Sequence, residues 1–213
     1  MNGMTECKSE FFTVIRERHA VKRYDPHYRM NDDMIRELIR NAALAPSAWN
    51  LQHWKFLVVT DQTRKEALSR IAYGQRQIVE AAIAVVILGD LHADRNAEQV
   101  FDRDVQAGRM TREIKRNLIS QITQAYSDQP VWARDQAICN ASLAAMQLLL
   151  VAKAMGLDSC PMGGFDPEAL IEDFSIPERY VPIMLVAIGK AAEPARPSAR
   201  LPIEETIAWN RFE

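Results

Sequence analysis

The sequence predicts one globular domain that mixes α-helices with a few buried strands. Three observations lead there. Ala84–Leu88 and Val181–Ile188 are nearly unbroken aliphatic and β-branched runs, the pattern of strands covered on both faces. Arg134–Met155 is a helix pattern whose A-S-L-A-A-M-Q-L-L-L-V-A-K-A-M portion is apolar nearly all round, which calls for burial on most sides, part of it against a second subunit. A chain of 213 residues, 48% hydrophobic and 25% charged, suffices for one filled core, and no Gly/Ser-rich or charge-run linker divides it.

Several function classes fall away on composition. A formal net charge of -2 offers no general attraction to nucleic acid or anionic membrane, and no basic stripe or DNA-binding helix pair is present. Cys7, Cys139 and Cys160 are too few and too scattered for a disulfide framework or zinc site, and suit a reducing compartment. The most apolar stretch, 141–157, is interrupted by Gln147 and Lys153, and the N-terminus has no apolar signal core. A cytoplasmic protein is expected. His27, His53 and His92 lack metal-ligand spacing, and no Ser-His-Asp or Cys-His set presents itself, so no metal site is expected.

In chain order, residues 7–19 place Phe11, Phe12, Ile15 and His19 at helical spacing. Arg16, Arg18, Lys22 and Arg23 then crowd basic groups where that helix ends. They serve either the helix dipole or a small anion gripped by Arg18 and Lys22. Asn31–Asp33 supply caps for a helix over 32–43. The loop A-P-S-A-W-N-L-Q-H-W-K-F, residues 45–56, follows. Pro46 forces the chain to turn, Trp49 and Trp54 bring apolar faces, and Asn50 and Gln52 offer both donors and acceptors, which suits the edge of a flat heterocycle. The alternative is a loop whose tryptophans cover the core.

Phe56–Val59 reads as a strand, Asp61 starts a helix with Ala67, Leu68 and Ile71 inward, and 77–82 is a short helical piece. Residues 93–129 are polar, with weak helical patterns at 97–105 and 112–126 parted by Gly108: a helical excursion, read either as a lid or substrate wall or as a solvated hairpin. Gly156 is a natural end for the long helix. A brief strand at 157–160 leads into P-M-G-G-F-D-P, where Gly163 and Gly164 permit close backbone approach and Asp166 caps a helix over 167–173. The Gly-Gly pair lacks the G-x-G-x-x-G spacing of a dinucleotide fold. Cys160 reads either as a reactive thiol or, given its apolar neighbourhood, as a packed cysteine, and the second is favoured. The segment 190–213 has little core of its own and is expected to lie along another surface, and Arg200, flanked by Ser198, is a second candidate anion ligand.

Taken together and in this order, R-H-A-V-K, A-P-S-A-W-N-L-Q-H-W, C-P-M-G-G-F-D and S-A-R-L-P resemble the nitroreductase family of FMN-dependent oxidoreductases, over nearly the whole chain and closest to small bacterial NAD(P)H-dependent nitro- and quinone reductases. The resemblance implies an α+β, three-layer α/β/α fold with a mostly antiparallel central sheet. It implies a homodimer with FMN at the subunit interface and the C-terminal tail exchanged onto the partner. Carried over by position, Arg18 and Arg200 are the FMN phosphate ligands, with His19, Ala20, Ser198 and Ala199 beside them. Lys22 lies near the pyrimidine edge, Asn50 reads that edge from the partner subunit, and Gly164, with Gly163 next to it, offers a backbone N–H to flavin N5. No side chain is implied as a catalytic acid or base, because the chemistry is carried by the cofactor. Two departures stand out: Ala20 replaces a common serine, and Gly163 stands where well-known members carry a glutamate. The implied activity is reduction of nitroaromatics or quinones by NAD(P)H through FMN. A specialised flavin-dependent reductase or dehalogenase and a non-catalytic flavin-binding redox sensor are the alternatives.

Overall fold

The computed structural model describes residues 3–127 and 129–212; residues 1, 2, 128 and 213 and the side chains of residues 3–9, Cys7 among them, lie outside the described residues. The elements are α1 (Gly3–Glu17), α2 (Asp32–Ala42), β1 (Trp54–Val59), α3 (Gln62–Ile71), α4 (Arg76–Glu80), β2 (Ile83–Asp90), α5 (Ala97–Gln106), α6 (Arg112–Ser127), α7 (Pro130–Ala154), β3 (Asp158–Met162), α8 (Pro167–Asp173) and β4 (Tyr180–Gly189). The cap signals in the sequence are used. Asn31 accepts the Met34 N–H, Asp61 accepts the Arg64 N–H, and Asp166 accepts those of Glu168 and Ala169. Gly156, at φ 68°, ends α7, and the Leu157 N–H closes on the Ala152 carbonyl at 2.8 Å. Helix α7 begins four residues before the sequence pattern does, because Pro130 sits in its first turn, where a missing N–H is harmless. The short piece expected at 77–82 is shifted to Arg76–Glu80.

The sheet runs β1-β2-β4-β3 with every pair antiparallel. Strand β2 is buried along its whole length. Its residues alternate between two cores. Ala84, Val86 and Leu88 pack with Leu68, Ile78 and Leu170 from α3, α4 and α8. Ile83, Val85 and Ile87 pack with Leu38 of α2 and Ala141, Ala145 and Leu148 of α7. Helices thus cover both faces, giving the three-layer α+β architecture expected. Pro182 pairs with Leu88 at a register shift, where a residue without an N–H is tolerated. Cys160 is fully buried.

Helix α7 is long and apolar enough to cross a membrane by length and composition, yet its buried side rests on the sheet and α2. The excursion is a helical pair, α5 and α6, around a third small core of Leu51, Ala93, Ala97, Phe101 and Ile122. That core reaches back to the loop before β1. Residues 196–212 are exposed throughout, with Trp209 80% exposed.

Candidate functional site

Beyond α1 the chain runs beside β3. The Val21 N–H donates to the Ser159 carbonyl at 3.1 Å, and Ala20 forms a parallel bridge with Ser159. Val21 and Tyr24 turn inward, so Ala20 and Lys22 turn outward. They face a cavity of about 580 Å³, lined also by Arg23, Glu193, Arg196 and Ser198. Arg23 is paired with Glu80 at 3.2 Å and Glu193 at 3.6 Å. Arg18 and Lys22 have no ion pair or side-chain hydrogen bond among the described residues. The Arg200 guanidinium donates to the carbonyls of Ser198 and Ala199 at 3.2 and 2.8 Å. The cavity is therefore bordered by cations in excess of its one carboxylate, a setting for an anion.

The structure brings Ala20, Lys22 and Ser198 together in this cavity. Arg18 and half-buried His19 precede it directly on the chain, and Ala199 and Arg200 follow it; none of these four lines it.

Strand β3 ends at Met162, and Gly163 and Gly164 are exposed just beyond. A Cβ on Gly163 would meet nothing within 4 Å, and one on Gly164 would meet Gln75 Nε2 at 3.7 Å and Tyr73 at 4.0 Å. Gln75 Nε2 donates to the Gly164 carbonyl at 2.8 Å, while Gln77 Nε2 donates to Gln75 Oε1 at 2.9 Å. This glutamine pair fixes the Gly164 peptide, and neither residue was singled out from the sequence. Tyr73, at φ 57°, stands beside it with its ring exposed. The turn residue Gly74 was the available signal, but it does not show that 73–77 reaches 164.

Asn50 lies elsewhere. Its loop precedes β1, whereas the glycines follow β3, and β2 and β4 lie between those two strands. Three strand spacings amount to about 14 Å. One chain does not bring Asn50 together with the other candidates. The loop is held in an unusual conformation, with Trp49, Asn50 and Gln52 all at positive φ, near 50°. Trp49 and Trp54 are half-buried, Trp49 against the third core.

His53 is fully buried, with Nε2 2.8 Å from the Tyr126 hydroxyl and Nδ1 without a partner. Burial drives its pKa down to about 4, against a smaller opposing pull from Asp90. Burial, then Asp94 and Asp90, hold the Tyr126 hydroxyl protonated. An exposed imidazole titrates near 6.5, so the unfolded chain takes up a proton that the folded one refuses. The resulting stability is present at pH 7 and is lost as pH falls from about 6.5 towards about 4. Between pH 7 and pH 5 the wild type is expected to lose about 1.5 kcal/mol more than His53→Gln in urea unfolding. Equal losses would refute the buried neutral imidazole.

Among the described residues no group of three His, Cys, Asp or Glu side chains is placed to hold a metal.

Comparison with known proteins identifies the family of this fold. The model described as the nitroreductase family matches residues 15–190. A Bacillus subtilis (strain 168) protein, YodC, named as a candidate NAD(P)H nitroreductase, is 47% identical over 196 residues, covering 92% of this chain and 96% of its own. The CLA biosynthesis enone reductase of Lactiplantibacillus plantarum is 36% identical over 187 residues, covering 84% and 85%. A solved structure of a candidate nitroreductase from Exiguobacterium sibiricum 255-15, in complex with FMN, superposes with a TM-score of 0.89 at 32% identity, covering 94% of this chain and 97% of that one. With three layers, an antiparallel sheet and relatives over nearly its whole length, the chain belongs to the nitroreductase family.

Proposed function

We propose that this protein is an FMN-dependent oxidoreductase that uses NAD(P)H to reduce nitroaromatics or quinones, acting in the cytoplasm as a homodimer. The observation that carries this is the basic cavity of Ala20, Lys22 and Ser198, whose Ala20 is bridged to β3, the strand that leads into the exposed Gly163-Gly164 turn. The residues fit the cofactor on two counts. Arg18 and Lys22, without a side-chain partner among the described residues, suit its anionic parts, and no Cβ blocks a flat ring system from the glycine backbone. When bound, FMN would supply the redox chemistry, two-electron transfer from NAD(P)H to the acceptor, while the residues of this chain bind and orient it.

Each residue then has a task. Arg18 and Arg200 would hold the phosphate, and His19, Ala20, Ser198 and Ala199 would shape the loops around it. Lys22 favours negative charge at the pyrimidine edge. The Gly164 N–H would serve N5, and Gln75 restrains the next peptide unit through the Gly164 carbonyl. Ala20 offers no hydroxyl to the phosphate, and Gly163 brings no carboxylate to the acceptor side.

The separation of Asn50 from the glycines supports a site completed by a second copy. Exposed Phe11, Phe12 and Ile15 on α1 and Leu143 and Met146 on α7 supply apolar surface for that contact. The exposed tail carries Leu201, Ile203, Ile207 and Trp209 and suits exchange onto the partner. Strand β1, unpaired on its outer side among the described residues, offers an edge for it.

The test is a visible spectrum before and after anaerobic NADPH. A flavin spectrum that bleaches, then returns with a quinone, is the expected result; a protein that cannot be loaded with FMN would refute the reading. Lys22→Ala is expected to slow flavin reduction or weaken FMN binding about tenfold. Full flavin content with unchanged reduction kinetics would remove that role.

A further inference from the structure

We propose that His53 and Tyr126 form a latch that positions the loop at residues 45–53, and with it Asn50, for contact with the flavin. They are positioning residues, and the proposal rests on the flavin reading above. Three positive-φ residues within four positions make this loop costly in isolation. Such backbone persists only where its surroundings over-determine it.

The ties are specific. Within the loop, the Gln52 N–H donates to Ser47 Oγ at 2.9 Å. From α7, buried Asn140 accepts the Ala48 N–H at 2.8 Å. From the start of the excursion, Asn96 Nδ2 donates to the Leu51 carbonyl at 2.9 Å. These hold backbone. The His53–Tyr126 bond joins side chains, and it closes a circuit. Trp49 meets the edge of Trp132 at 6.1 Å, and Trp132 meets Tyr126 at 5.3 Å. The chain of contacts therefore leaves the loop at residue 49, crosses α7 and α6, and returns at residue 53.

Asn50 lies inside that circuit. Below it Leu51 is fully buried against Ala93, Ala97, Phe101 and Ile122. Asn50 itself is exposed, and its side-chain amide makes no hydrogen bond among the described residues. The arrangement holds the backbone on both sides while leaving that amide available to a ligand. An apolar side chain would fill the place of His53 without stranding a buried nitrogen at Nδ1, so the imidazole earns its place through the Tyr126 bond.

The test is Tyr126→Phe, which removes the hydroxyl and keeps the ring against Trp132. Amide hydrogen exchange is measured over residues 47–54 of the apoprotein, with β2 amides as reference, alongside the FMN dissociation constant and the melting temperature. Loop exchange about tenfold faster, FMN about fivefold weaker and β2 unchanged are expected. His53→Gln, whose amide can still reach the tyrosine hydroxyl, is expected to keep slow exchange, and His53→Ala is not. Exchange unaffected by Tyr126→Phe overturns the proposal, as does faster exchange with unchanged FMN affinity. A wild type that binds no FMN overturns the flavin reading and this proposal together; a wild type that binds FMN but shows either of the other results overturns this proposal alone.

Discussion

Arg179→Ala is expected to destabilise the protein by about 3 kcal/mol, because it strands a buried carboxylate. Asp90 ends β2 with its side chain 4% exposed. Arg179 meets it as a fork, Nε to Oδ1 at 2.7 Å and Nη2 to Oδ2 at 2.5 Å. The hydrogen bond to Asp90 also holds the guanidinium pKa above its usual value. The same guanidinium reaches the His92 carbonyl at 3.3 Å and Asn96 Oδ1 at 3.2 Å, and the Asp90 N–H donates to the His53 carbonyl at 2.9 Å. The pair is thus the root from which both the excursion and the Asn50 loop are held. In a chain of this size the expected loss lowers the melting temperature by about 10 °C. Asp90→Leu combined with Arg179→Met is expected to lose less than Arg179→Ala alone, since no charge is then left buried. A single variant within about 3 °C of wild type in a thermal scan would show that water reaches Asp90.

Arg18→Ala is expected to weaken FMN binding about 100-fold, the loss of a charge-assisted grip on a phosphate. It is expected to leave the apoprotein's melting temperature unchanged, because Arg18 has no ion pair or side-chain hydrogen bond among the described residues to lose. Arg18→Lys should recover part of the affinity, since an ammonium supplies the charge but not the fork. Titration of the apoprotein with FMN, followed by flavin fluorescence, reads all three proteins. A dissociation constant for Arg18→Ala within about threefold of wild type would move the phosphate grip elsewhere in the basic border, to Lys22 or Arg196.

Much of the fold was legible because its signals are local. Asp61 and Asp166 each cap a helix that starts at the next residue, and Gly156 ends α7 because a residue at φ 68° is easiest without a Cβ. Strand β2 was legible as an unbroken apolar run, and it is buried throughout. The excursion was legible as helical, but not its third core, because that core borrows Leu51 from before β1. On the candidate site, the cavity does gather Ala20, Lys22 and Ser198. Gln75, Asn140 and His53 escaped. Each acts through a bond that spans a long stretch of chain: 89 positions from Gln75 to Gly164, 92 from Ala48 to Asn140 and 73 from His53 to Tyr126.

By itself the sequence determined where helices and strands begin, which runs need burial on two faces, and which order of motifs marks the family. Capping, turn chemistry and hydrophobic periodicity act within a few residues, so one chain of letters carries them. Only the tertiary structure decided that Asn50 and Gly164 lie off opposite edges of one sheet, that His53 is buried against the Tyr126 hydroxyl, and that Gln75 restrains the Gly164 carbonyl. Those outcomes depend on which elements become neighbours, and that is set by the packing of the whole core, which no local pattern records.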